Sequence, residues 1–340
     1  MQGSALPGFG AAPQQEREWV GMKKLVVVCM ALMAMVVGGC GGGDKITVGS
    51  VIFEASGEWF VEAIAGMDAA AAKYDVNLVK GDSRYDVAVE RDLINEQVKN
   101  KAKAIVVCPL TVNESGVALK EVSDMGIPVV TWNTVVKPSP TAQIVVDNKV
   151  LGAATGDYLK EYVKKNDIKK LKALYVTDSS FSIGIERCNG FLDSVEPLVA
   201  QNILTVAAEV HGHLYEETCV TIEDLLNTQP DINFIWCWNQ MTTKAALDTL
   251  KRMNRTDVML AGTDMSMKFA REMLDGNINL IAVTTQQPYE MGYQAVEAAI
   301  QAIKGDKPKE TITIPTITYT KENKDKLKEY VETHKKFVGE

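Results

Sequence analysis

Two stretches of this chain follow the same rule. Ile127-Pro128-Val129-Val130-Thr131-Trp132-Asn133 is an apolar run of strand length that ends on an indole and a carboxamide, and Val258-Met259-Leu260-Ala261-Gly262-Thr263-Asp264 ends on a carboxylate. Each reads as a buried strand whose last residue emerges into solvent carrying a side chain able to make directed hydrogen bonds. A pattern that occurs twice, about half a chain apart, predicts two matching lobes.

The segments around these runs support that reading. In the first half, strands are expected at Ile46–Phe53, Val76–Val79, Ala104–Val107 and Ile127–Trp132, alternating with helices at Gly57–Lys73, Val87–Lys99 and Asn113–Met125. After an extended Thr141–Val146, Asp147-Asn148 opens a helix over Leu151–Lys164 and the alternation restarts. Strands at Leu171–Val176, Thr205–Val210, Phe234–Trp236 and Val258–Ala261 are separated by helices at Ile183–Val195, Glu216–Leu226 and Met241–Met253. Strand–helix alternation predicts parallel sheets, and the restart predicts an internal duplication. The fold class is therefore α/β, with two Rossmann-like lobes built on open parallel sheets.

The remaining segments are shared between the lobes. Met267–Leu274, Tyr289–Ile303 and Thr320–Lys336 are expected as helices, the last capped by Thr320, with a strand at Leu280–Thr284 and an extended Glu310–Ile317. Crossings are placed near Val146-Asp147, Gln286-Gln287 and Pro315, which makes a multi-strand hinge. The expected N-terminal lobe is 45–146 plus 287–315. The C-terminal lobe with the final helix is 147–286 plus 316–340.

Ahead of the lobes, Met22-Lys23-Lys24, the apolar run of 25–37 and the small residues before Cys40 have the layout of an export signal. Val37-Gly38-Gly39-Cys40 resembles the lipobox of bacterial lipoproteins. That resemblance makes 22–39 the signal peptide, Cys40 the lipidated residue and 40–44 a tether. Residues 1–21 are an expected upstream extension, with Met22 as the start. Function is placed outside the cytoplasm, on a lipid anchor in the membrane.

Charge and motif content narrow the classes further. A net charge of -8 and a pI near 5.2 speak against nucleic acid as a partner. No phosphate loop, nucleophile elbow or zinc-type histidine pair occurs, and the three histidines are His211, His213 and His334. No enzyme activity, cofactor or metal is expected. The six cysteines include no Cys-x-x-Cys pair, and those of the folded part, Cys108 among them, are expected as buried free thiols.

In open parallel sheets the ligand crevice lies outside the carboxyl ends of the strands, so two such sheets facing one another enclose a site. The strand-end residues supply planar polar groups and aromatic rings, which suit the hydroxyl rim and the C–H faces of a sugar. Arg187 offers a fork of donors and Asp264 an acceptor for two hydroxyls. Asn133, Asn239 and Gln286 offer a donor and an acceptor each. Trp59, Phe60 and Trp238 are the stacking candidates, with Phe53 and Trp132 behind them. Asp264 has a second role open, as the N-cap of the following helix.

Taken together, Trp59-Phe60, Gly126-Ile127-Pro128-Val129-Val130, Asp147-Asn148 before Gly152 and Gly156-Asp157-Tyr158, Glu186-Arg187 with Gly190-Phe191, Gly262-Thr263-Asp264 and Gln286 before Pro288 make the chain resemble the periplasmic sugar-binding proteins of the ribose and galactose type. The resemblance runs over about 45–321. It implies the fold of type I periplasmic binding proteins and carries ligand contacts onto Trp59, Phe60, Asn133, Arg187, Asn239, Asp264 and Gln286. His213 falls near a position where relatives use an aromatic residue. It further implies a monomeric solute-binding lipoprotein that hands a sugar or polyol to an ABC permease. A sensory subunit that binds a sugar or sugar-like signal and presents its closed form to a membrane receptor or histidine kinase stays open. Ribose-type relatives often carry Asp-Arg after the fourth strand, where this chain has Asn133-Thr134, which leaves another pentose, a hexose or a polyol equally open.

Overall fold

A parallel sheet covered by helices on both faces buries both sides of its inner strands, which is why those strands read as unbroken apolar runs. The computed structural model describes residues 45–337, Ser139 and His213 excepted. The expected signal peptide, Met22, Cys40 and the candidate ligand residue His213 lie outside the described residues. From Ile46 onward the chain is one compact unit.

The first lobe is laid down in chain order as β1 (Thr47–Ile52), α1 (Glu58–Tyr74), β2 (Asn77–Asp82), α2 (Val87–Lys99), β3 (Ala104–Val107), α3 (Glu114–Asp124), β4 (Val129–Trp132) and β5 (Ala142–Val145). The second lobe follows as α4 (Asn148–Lys165), β6 (Leu171–Thr177), α5 (Ser182–Ala200), β7 (Leu204–His211), α6 (Tyr215–Thr228), β8 (Phe234–Cys237), α7 (Gln240–Arg252), β9 (Met259–Thr263), α8 (Met267–Leu274) and β10 (Leu280–Thr285). The chain then returns to the first lobe for α9 (Pro288–Ile303) and β11 (Thr311–Thr313), and ends in the second with β12 (Ile317–Thr320) and α10 (Lys324–His334).

Sheet one has the order β11-β5-β4-β3-β1-β2 and sheet two β12-β10-β9-β8-β6-β7. The two orders correspond position by position, as a duplication requires. One difference is that β11 joins β5 in parallel while β12 joins β10 antiparallel. The chain passes between sheets after β5, after β10 and between β11 and β12.

Helix contacts repeat across the lobes as well. In lobe one, α1 meets α9 backbone to backbone: a Cβ on Gly66 would lie 1.9 Å from the Tyr289 carbonyl oxygen, and one on Gly292 2.0 Å from that of Ala63. In lobe two, α4 meets α5 in the same way, with Gly152 against the Arg187 carbonyl at 1.9 Å and Gly190 against that of Lys149 at 2.0 Å. Only glycine permits so close an approach.

The last helix differs from expectation. Thr320 closes strand β12 instead of capping a helix, because Thr318-Tyr319-Thr320 favour extended backbone and pair with β10. The helix begins at Lys324, and its cap is Asn323, whose Oδ1 accepts from Lys326 N at 3.4 Å. The four described cysteines, Cys108, Cys188, Cys219 and Cys237, are buried free thiols.

Candidate functional site

The carboxyl edges of the two sheets face one another. Glu58, in the first turn of α1 and so beyond the end of β1, accepts from the Met267 amide at the start of α8, beyond the end of β9, at 2.7 Å. Burial raises the Glu58 carboxyl above its usual range, although the Met267 amide works the other way. At the ends of β4 and β9, Asn133 (φ 67°) and Asp264 (φ 62°) both take left-handed backbone. Asn and Asp tolerate that conformation better than other residues with a Cβ. The two sequence runs thus end in the same local structure.

In lobe two the predicted residues form one network. Arg187 lies on α5, its carbonyl seated on Gly152, and its side chain is 3% exposed. Its Nη1 donates to Asp264 Oδ2 at 2.8 Å and to the Trp238 carbonyl at 3.1 Å, and its Nε donates to Asn148 Oδ1 at 3.0 Å. Gln286 Nε2 donates to the other Asp264 oxygen at 2.9 Å. A buried guanidinium and carboxylate thus compensate each other's charge, and removing one partner of such a pair typically costs about 3–5 kcal/mol. The polar surface is neutral and held rigidly.

The structure decides several roles within this network. Asp264 does not cap α8; Ser266 does, accepting from the Phe269 amide at 3.2 Å. Asn239 caps α7, its Oδ1 accepting from Thr242 N and Thr242 Oγ1, both at 2.8 Å. Its amide nitrogen is what it can still offer a ligand. Trp238, expected to stack on ligand, is 7% exposed, with Nε1 donating to the Gly212 carbonyl at 2.7 Å and the Arg187 guanidinium 5.9 Å from its ring centre. That bond fixes the orientation of the indole. Asn148 was not among the expected contacts. Its signal was present in Asp147-Asn148, since Asp147 caps α4 and so places Asn148 on its first turn, beneath Arg187.

Lobe one contributes rings. Trp59 stacks on Trp132 with ring centres 5.7 Å apart and planes 16° apart, and Phe60 meets Trp59 edge-on at 4.9 Å. Trp132 is wholly buried and Phe60 nearly so. The buried indole nitrogens of Trp59 and Trp132 have no partner among the described residues. Asn133 Nδ2 reaches Cys108 Sγ at 3.8 Å. Burial pushes the Cys108 thiol well above its usual pKa. The structure therefore joins Arg187, Trp238, Asp264 and Gln286 in one lobe and Trp59 and Phe60 in the other, while Asn133 and Asn239 stand at their strand ends outside both networks. Among the described residues no cluster of His, Cys, Asp and Glu suits a metal.

Residues 48–307 match the family described as periplasmic binding protein domain. The ribose import binding protein of Escherichia coli is 26% identical over 288 residues, covering 84% of this chain and 94% of that protein. The ribose import binding protein of Bacillus subtilis is 22% identical over 313 residues, covering 86% and 98%. Among solved structures, a solute-binding protein of Actinobacillus succinogenes with bound D-allose superposes with a TM-score of 0.75 at 17% identity, covering 83% of this chain and all of that one. The chain belongs to the periplasmic binding protein family. Its homologues are substrate-binding transport proteins, not enzymes.

Proposed function

We propose that this protein binds a monosaccharide or a similar small polyhydroxylated compound between its lobes and delivers it to the permease of an ABC importer. The observation that carries the reading is the buried Arg187–Asp264–Gln286–Asn148 network at the carboxyl edge of sheet two. It is a preorganised, neutral set of donors and acceptors, which suits hydroxyl groups and does not suit a strongly charged ligand. Trp59 and Phe60 supply the surface for the C–H face of a ring, Asn133 and Asn239 complete the rim, and His213 is a further ligand candidate from the sequence. The three passages between the sheets form the hinge, with 45–146 and 287–315 moving as one lobe against 147–286 and 316–340. Ligand favours the closed state because only there can it touch both edges. Cys40 carries the lipid that holds the monomer at the membrane.

A thermal-shift panel of pentoses, hexoses, polyols, nucleosides and amino acids tests this reading. Ligand at about 100 times its Kd adds roughly 2.7 kcal/mol of stability. A sugar or polyol standing clear of the panel is the expected result. A response confined to nucleosides or amino acids overturns the sugar reading and keeps a cleft binder.

A further inference from the structure

Beyond the polar network, the aromatic residues of lobe one continue toward the outer edge of its sheet. Phe60 meets Phe53 edge-on with ring centres 5.0 Å apart, and Phe53 meets Tyr85 at 5.1 Å. With Trp132 and Trp59, five rings follow the carboxyl edge from β4, near the passages between lobes, to β2, at the far side. Tyr85 ends this row with 60% of its surface exposed.

The turn that presents Tyr85 is held tightly. Arg84 (φ 51°) and Tyr85 (φ 61°) are consecutive left-handed residues, neither of them glycine. A bulky side chain in that region is strained, and strain of this kind persists where the surroundings impose it. Here Tyr85 N donates to the Phe53 carbonyl at 3.1 Å, Arg84 N to Asp82 Oδ1 at 2.9 Å, and Asp86 caps α2. The Tyr85 hydroxyl donates to Glu54 Oε2 at 2.6 Å. Its polar atom is thus satisfied within the protein, and what the residue offers outward is an apolar ring face. At the equivalent edge of lobe two, Phe181 and Leu214 stand at the starts of α5 and α6 and are 52% and 49% exposed. These two apolar side chains stand beside the polar groups that end β6 and β7, where Thr177 bonds Glu209 and Asp178 accepts from the Ser180 amide.

We infer that the cleft carries a second, apolar subsite at its outer mouth, formed by Tyr85 and Phe53, which takes an alkyl, alkylthio or aryl substituent on a polyhydroxylated ring. The inference rests on the cleft reading above and narrows its ligand class. The Glu54 carboxylate beside the ring disfavours a phosphorylated or otherwise acidic substituent.

The test is calorimetric titration of the full chain with matched pairs: each free pentose and hexose against its methyl glycoside, its phenyl glycoside and, for pentoses, its 5-alkylthio derivative. At least one substituted sugar is expected to bind about tenfold tighter than its parent. In Tyr85→Ala the ratio of the two affinities falls to within about twofold of one, and in Tyr85→Phe the preference persists. Parents that bind as tightly as every substituted form, or a preference that survives Tyr85→Ala, overturn the subsite and leave the sugar reading intact. Absence of binding by every sugar, substituted or not, overturns both.

Discussion

At the carboxyl edge of sheet two nearly every predicted polar group already has a protein partner, while at the same edge of sheet one two buried indole N–H groups have none among the described residues. The strand orders correspond, the helix pairs approach through the same glycine contacts, and Asn133 and Asp264 share a backbone conformation. Duplication of a scaffold therefore does not duplicate its chemistry. Lobe two carries a polar network preorganised by its own hydrogen bonds. Lobe one is an aromatic wall that gains from covering apolar area.

The hardest way to break this contrast is Asp264→Ala. It leaves Arg187 buried without a counter-charge, and a stability loss of about 3–5 kcal/mol is expected by urea unfolding, together with loss of ligand binding by calorimetry. A loss below about 1 kcal/mol would mean that Arg187 is compensated from elsewhere. Next come the paired changes Gly152→Ala and Gly292→Ala, each of which drives a Cβ into a carbonyl of the neighbouring helix. Both are expected to cost at least about 1–3 kcal/mol. The contrast sharpens in binding, because the carbonyl displaced by Gly152→Ala is that of Arg187, so only this variant weakens affinity. Equal affinity in the two would separate the site from the α4–α5 contact.

A smaller effect is expected in lobe one. Trp59→Ala should weaken binding about tenfold, and Trp59→Phe separates the ring from its N–H. An unchanged Kd in both would remove Trp59 from the site. The smallest effect belongs to the link between α1 and α10. His334 Nε2 lies 3.3 Å from Glu62 Oε2, its Nδ1 lies 2.7 Å from the Tyr330 carbonyl, and Tyr330 donates to Glu62 Oε1 at 2.7 Å. Burial works against the imidazolium, but the Glu62 carboxylate outweighs it and the His334 pKa is raised above 6.5. A raised pKa means that the folded state favours the proton, so the stabilisation is full below the ordinary histidine range and is lost as pH rises through the folded value. Thermal midpoints above pH 6.5 should fall more steeply in the parent than in His334→Gln. Parallel slopes would show that this link does not titrate.

Much of the architecture was legible because strand signals are local. Runs such as Ala104–Val107 and Val129–Trp132 are apolar without alternation, and the helices between them carry their own caps, as Asp86 and Asp147 do. The final helix was misplaced at its start because Thr320 is a good cap in isolation, and only pairing with Ala282 makes it a strand residue. The position of Trp238 at a strand end is visible in the sequence, whereas the Gly212 carbonyl that takes its N–H is not. Asn148 was passed over because nothing near it in sequence needs an acceptor. Its partner Arg187 is 39 residues away.

By itself the sequence determined that there are two α/β lobes, that their strands are buried, and that chemistry collects where strands end, because periodicity and strand-end residue types act over a few neighbours. Only the tertiary structure decided which of those end groups have partners within the protein. Arg187 draws its partners from three segments, up to 77 residues distant, and Asp264 is satisfied from α5 and from the end of β10. Saturation of a hydrogen-bonding group depends on what the fold brings beside it, and that is a property of the packed chain.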